Sequence, residues 1–143
     1  ISVKTRDTSK SIDQDVIRVS RAEDKTNKLA ELLRSDGFSK VLVFGKNKHG
    51  VEKLAKTLTA MGLVAESIHG NKNFNKRQLA LGQFKGNKVK ILVATDVAAR
   101  GLDIADVSHV INYDLPATYE DYIHRIGRTG RGDKKGKALT FVE

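Results

Sequence analysis

Apolar residues along this chain recur with two alternating periods. Leu29, Leu32 and Leu33 fall on one stripe of a helical segment from Asp24 to Asp36, with Gly37 placed to stop it. VLVF, Val41 to Phe44, is then a short unbroken apolar run, the mark of a strand covered on both faces. Val51, Leu54, Ala55 and Leu58 stand at i, i+3, i+4 and i+7, which predicts a second amphipathic helix to about Met61, ended by Gly62. The pattern repeats with a strand from Leu63 to Ile68, a helix from Asn75 to Phe84 and a strand from Val89 to Ala94. A further apolar stretch, Val107 to Tyr113, stops at Asp114-Leu115-Pro116. A helix from about Thr118 and a last strand from Ala138 to Val142 complete the series. Such alternation predicts βαβ units. The expected fold class is α/β, one domain with a mostly parallel sheet covered by helices on both faces. Residues 1 to 11 read as a linker or edge segment, and 12 to 143 as the domain.

In sheets of this kind ligands gather beyond the carboxyl ends of the strands. His69-Gly70, Thr95-Asp96 and the loop near Asp114 all fall there. HRIGRTGRG, His124 to Gly132, follows the next helix and carries Arg125, Arg128 and Arg131 at every third position. Like charges so close repel, and the intervening Gly127 and Gly130 weaken a helix, so a negative ligand is the natural resolution. The whole chain agrees, with 26 lysines and arginines against 17 acidic residues and a net charge of +9, a balance suited to polyanions and to nucleic acid first. No apolar run is long enough for a membrane span and no signal peptide is evident. Zero cysteines exclude disulfides and a thiolate zinc site, and are consistent with a reducing compartment. His49, His69, His109 and His124 show no ligand spacing with one another, so no metal site is expected within the chain. The first residue is Ile1, and the chain is expected to be a piece of a longer polypeptide.

ATDVAARGLDI, Ala94 to Ile104, taken with HRIGRTGR and with the segment from His69-Gly70 to Arg77, resembles the C-terminal RecA-like domain of DEAD-box RNA helicases. The resemblance runs from about Ile12 to Val142. VLVF with Lys46-Asn47 corresponds to the family's motif IV, the His-Gly-to-Arg segment to its Q-x-x-R region, and the two longer stretches to motifs V and VI. It implies an ATP-dependent RNA helicase whose two RecA-like halves clamp ATP between them. Arg128 and Arg131 are then the arginine fingers on the γ-phosphate, a task suited to a planar fork that stays charged. Arg125 is expected to brace neighbouring loops. Asp103 corresponds to the ribose-hydroxyl ligand, and Gly70, Arg77, Thr95 and Gly101 to groups that hold the RNA backbone without reading bases. Asp96 and Arg100 are expected to organise motif V and its contact with the other half.

One position departs from the family pattern. Phe74 stands where glutamine is usual, three residues before Arg77. The expectation is that it packs into the core, with stacking on a base as the alternative. No G-x-x-x-x-G-K-[ST] loop and no D-E-A-D occur in the sequence. The resemblance therefore assigns the phosphate cradle, and Mg2+ with it, to an N-terminal RecA-like domain, and the chain alone is expected to be inactive. The expected partners are RNA and that N-terminal domain, with no membrane; the expected compartment is the cytoplasm, the nucleus being the alternative. A nucleic-acid-binding scaffold without catalysis is the competing reading.

Overall fold

The computed structural model describes residues 12–130 and 136–143. Its elements, in chain order, are β1 (Ile12–Arg18), α1 (Ala22–Leu33), β2 (Val41–Phe44), α2 (Lys48–Ala60), β3 (Ala65–Ile68), α3 (Phe74–Lys85), β4 (Ile91–Ala94), α4 (Asp96–Ala99), β5 (His109–Asn112), α5 (Tyr119–Ile126) and β6 (Gly136–Val142). The strands form one sheet in the order β1-β6-β5-β2-β4-β3, and all of its pairings are parallel. The expected class is therefore right, and the sheet is wholly rather than mostly parallel.

Strand parity builds two cores. Val41, Val43, Ile91, Val93, Ile111, Leu139 and Phe141 point to one face, where Leu29 and Leu33 of α1 and Val51, Leu54 and Leu58 of α2 cover them. Leu42, Phe44, Leu92, Ala94 and Val110 point to the other, against Ala80, Leu81 and Phe84 of α3. On that second face Ile126 of α5 packs with Ile12 and Ala138. A strand sandwiched this way has no solvent side, which is why its residues are apolar without alternation.

Elements missed from sequence have physical reasons. β1 is an edge strand exposed along most of its length, so IDQDVIR carries no apolar run; its place comes from a seven-residue parallel register with β6, Ile12↔Gly136 to Arg18↔Val142. Residues 1 to 11 lie outside the described residues. α4 is a single turn of four residues, too short for any helical period. The first helix ends at Leu33, with Gly37 in the left-handed region (φ 93°) of the turn that follows. The strands expected from Leu63 and from Val107 begin later, at Ala65 and His109, with Val107 forming an isolated bridge to Thr129. Among the described residues no helix is long and apolar enough to cross a membrane.

Thr129 and Gly130 lie against the first residue of β6. A β-carbon placed on Gly136 would collide with the Gly130 amide nitrogen and the Thr129 side chain. One of these neighbours is backbone and cannot step aside cheaply. Gly136→Ala should therefore lower stability by about 1–3 kcal/mol through overpacking, read as a shift in the urea midpoint with an unchanged slope.

Candidate functional site

The helices that follow β2, β3, β4 and β5 all start at the carboxyl edge of the sheet, each behind a side-chain cap. Asn47, Asn73, Thr95 and Thr118 accept hydrogen bonds from the backbone amides of Gly50, Lys76, Ala98 and Asp121. Capping satisfies one amide and leaves others of the first turn directed at the edge. The first turns of α2 and α3 contain no acidic residue, and the carboxylate that meets the start of α2 comes from a distant loop, Asp114 Oδ2 accepting the Lys46 amide at 2.7 Å.

Below this edge lies a buried arginine. Arg125, on α5, is 2% exposed. Its Nε and Nη2 donate to Asp96 Oδ1 and Oδ2 at 2.7 and 2.8 Å, a bidentate fork. Nη1 donates to Asn112 Oδ1 at 3.1 Å and to the Asp114 carbonyl at 2.7 Å. Asn112 passes the connection on, donating from Nδ2 to Thr140 Oγ1 at 3.0 Å. The guanidinium carbon stands 5.0 Å from the centre of the Phe44 ring. Arg125 is thus the expected brace, joining α5 to the ends of β4 and β5 and, through Asn112, to β6. Arg100 adds an exposed ion pair to Asp121 at 3.2 Å.

Arg128 grips the backbone of the segment after α4. Its Nη1 donates to the Leu102 and Ile104 carbonyls at 2.9 and 3.1 Å, and Nη2 to that of Ala99 at 3.0 Å. Two of these acceptors flank Asp103, whose side chain is 87% exposed and pairs with Lys85 at 3.3 Å. Between Arg128 and the Asp96–Arg125 pair opens a cleft of about 510 Å³, with Phe44, Arg100 and His124 in its wall.

The candidate residues therefore fall into two groups. Gly70 and Thr95 sit at the ends of neighbouring strands, tied by the Thr95 amide to the Ile68 carbonyl at 3.3 Å, and Arg77 lies in the second turn of α3 above them. Gly101, left-handed at φ 88° with open space where a β-carbon would stand, leads from α4 toward Asp103 and Arg128. Arg128 is not at the carboxyl edge. It lies beyond the far end of α5, about 12 Å of helix away, beside the start of β5, where its carbonyl accepts from the Val107 amide. Arg131 lies outside the described residues. Phe74 overturns the packing expectation, because it is 64% exposed at the first position of α3.

His69 is expected from its motif to orient its loop by hydrogen bonding, and it does so through a polar cluster under Gly70 whose other members the sequence did not reveal. Glu52 Oε1 accepts from the Ser67 hydroxyl at 2.7 Å and from His69 Nε2 at 2.8 Å. A carboxylate only accepts, so Nε2 carries the proton; Nδ1 is left to accept the Asn71 amide at 3.2 Å. His69 thereby fixes the loop that carries Gly70. The Ser67 hydroxyl first, then the His69 ring, hold the Glu52 carboxyl down to about 2 from its ordinary 4.5, with Lys72 assisting and burial opposing.

Two predictions follow from these bonds. Asp96→Asn should cost about 3 kcal/mol in urea unfolding at neutral pH, since it strands a buried guanidinium, and Arg125→Lys should be damaging too, because an ammonium cannot span the same acceptors. For Glu52, the folded state releases the proton more readily than the unfolded chain. Its stabilisation is complete above about pH 4.5 and is lost as pH falls from there toward 2. Glu52→Gln should flatten the stability profile across that window, measured by urea titrations at stepped pH.

Comparison with known proteins adds an independent line. The helicase conserved C-terminal domain family matches residues 24–133. The ATP-dependent RNA helicase CshA of Listeria monocytogenes is 46% identical over 144 aligned positions, taking in 100% of this chain and 28% of that protein. DEAD-box ATP-dependent RNA helicase 30 of Arabidopsis thaliana is 47% identical over 135, covering 93% of this chain and 22% of that protein. The chain thus spans less than a third of the length of these curated relatives. Among solved structures, the E. coli DEAD-box protein SrmB bound to regulator of ribonuclease activity A superposes with a TM-score of 0.88 at 41% identity, over 92% of this chain and 78% of that one. The C-terminal domain of the DEAD-box protein Dbp5 gives 0.83 at 34%, over 93% and 77%.

Proposed function

The chain belongs to the helicase conserved C-terminal domain family, as the C-terminal domain of a DEAD-box helicase, and on that premise we propose that it serves an ATP-dependent RNA helicase as its second RecA-like half. One observation carries the reading. The Asp96–Arg125 fork and the Arg128 grip join ATDVAARGLD to the described part of the arginine motif, residues 124–130. Thr95 and Gly101, assigned to RNA, and Asp103 and Arg128, assigned to ATP, thus share one hydrogen-bonded support, a route by which RNA and ATP would act on one another.

In this reading Gly70, Arg77 and Thr95 hold the RNA sugar–phosphate backbone at the carboxyl edge, helped by the helix end of α3, and Gly101 adds a backbone contact beyond α4. Asp103 accepts from the ribose hydroxyls. Arg128 and Arg131 reach the γ-phosphate across the cleft between the two halves. The fork of Arg128 also sets the backbone on both sides of Asp103, so it positions the ribose group as well. The N-terminal RecA-like domain cradles the phosphates and holds most of the Mg2+ coordination, since this sequence contains neither the phosphate loop nor D-E-A-D. Charge on the γ-phosphoryl oxygens spreads as the bond to the leaving group loosens. A fixed guanidinium in a closed cleft stabilises that state more than the ground state.

The test uses a protein that joins the N-terminal domain to this chain, with single-turnover hydrolysis at saturating ATP and RNA. Arg131→Ala should lose about 10³-fold or more in rate, with little change in RNA affinity, and Arg131→Lys should recover little of it. Arg77→Ala should weaken RNA binding first and keep most of the rate once RNA saturates. This chain by itself should release no phosphate above background. A near-normal rate for Arg131→Ala would leave the arginine a structural brace and favour the non-catalytic scaffold.

A further inference from the structure

We propose that Phe74 is a stacking platform for an RNA base, an inference that rests on the RNA-binding reading above. The ring stands 64% exposed on the first residue of a helix anchored by the Asn73 cap. Leaving most of it in water forgoes the gain that burial of a phenylalanine brings. Its neighbours along the chain do not make an apolar contact surface. Asn71, Asn73, Asn75, Lys76 and Gln78 around it are exposed and polar. The other large exposed hydrophobic residue of α3, Leu79, is five positions on, about 140° around the helix. A lone aromatic ring among amides and cations offers little to a protein partner's apolar face.

It offers much to a nucleotide. Arg77 is one turn along on the same face of α3, within reach of a neighbouring site. A phosphate on the guanidinium would bring the attached base over the ring. Stacking is tolerant of base identity, because every base has a π-face. Phe74 therefore adds a contact to the bases without adding sequence preference, where the backbone groups Gly70, Thr95 and Arg77 give contacts to phosphate and sugar alone.

The chain contains no tryptophan, so Phe74→Trp installs a single fluorophore at the proposed platform. It is titrated with oligouridylate and with the same oligomer made abasic, while anisotropy of labelled RNA reports binding separately. The expected result is quenching of the Trp signal by the base-bearing RNA and little by the abasic one. Phe74→Leu should bind the base-bearing RNA about 5- to 150-fold more weakly than the unaltered chain, yet match it on abasic RNA, with an unchanged salt slope because no charge is removed. Equal affinity of Phe74→Leu and the unaltered chain on base-bearing RNA would overturn the platform, as would an equal loss on abasic RNA. Absence of any RNA binding by the unaltered chain would instead overturn the RNA reading itself, and the platform with it.

Discussion

Arg125 carries a full positive charge that has been taken out of water, and much of the polar side of the domain is arranged around keeping it satisfied. Desolvating an ion costs several kcal/mol, and Coulomb attraction repays it only when the remaining donors are also bonded. Here the partners come from the start of α4, the end of β5 and the loop after it, and the aromatic face of Phe44 lies beneath. Each acceptor fixes one element relative to α5. Moving any of them by an ångström would break a bond to a group that cannot find water instead. The segment from Asp96 to Asp114 and helix α5, which carries the first residues of the arginine motif, consequently behave as one piece.

Arg128 extends that piece by a different device. Its acceptors are main-chain carbonyls, so what it holds is the course of the chain rather than any particular side chain. The segment it grips has no regular secondary structure of its own beyond α4, and would otherwise lack a ladder to order it. The two arginines divide the labour. One locks elements of the sheet to a helix, and the other shapes the loop whose exposed residue, Asp103, faces outward.

Those parts of the fold that depend on burial were legible in the sequence. VLVF and ILVA read as strands because the sheet is covered on both sides, and the stripe through Val51, Leu54, Ala55 and Leu58 read as a helix because only one of its sides is covered. β1 was not legible, since an edge strand shaped by its partner's register needs no apolar pattern of its own. Phe74 was misread because composition tells that a ring is apolar, not which way the first residue of a helix points. Of the site, the motif strings located the relevant segments. They set Arg125 apart as a brace but could not name what it holds, because its partners, Asp96 and Asn112, are distant in sequence, and those of Arg128 are carbonyls that every residue possesses. That Glu52 and Ser67 are the partners of His69 was invisible for a similar reason: they come from different elements and only the fold assembles them.

The pairing of β1 with β6 has a mechanical side. The two strands are parallel and in register over seven residues, with β1 at the border of the sheet. Tension applied between the amino end of β1 and the carboxyl end of β6 therefore runs along the strands, in shear. The ladder of hydrogen bonds carries such a load collectively instead of opening one bond after another like a zipper. Tension at the amino end of β1 directed outward, across the sheet, would meet the bonds singly and peel the strand away. The domain should accordingly resist a pull along its strands far better than one across them, so the direction in which a neighbouring segment tugs matters more than how hard.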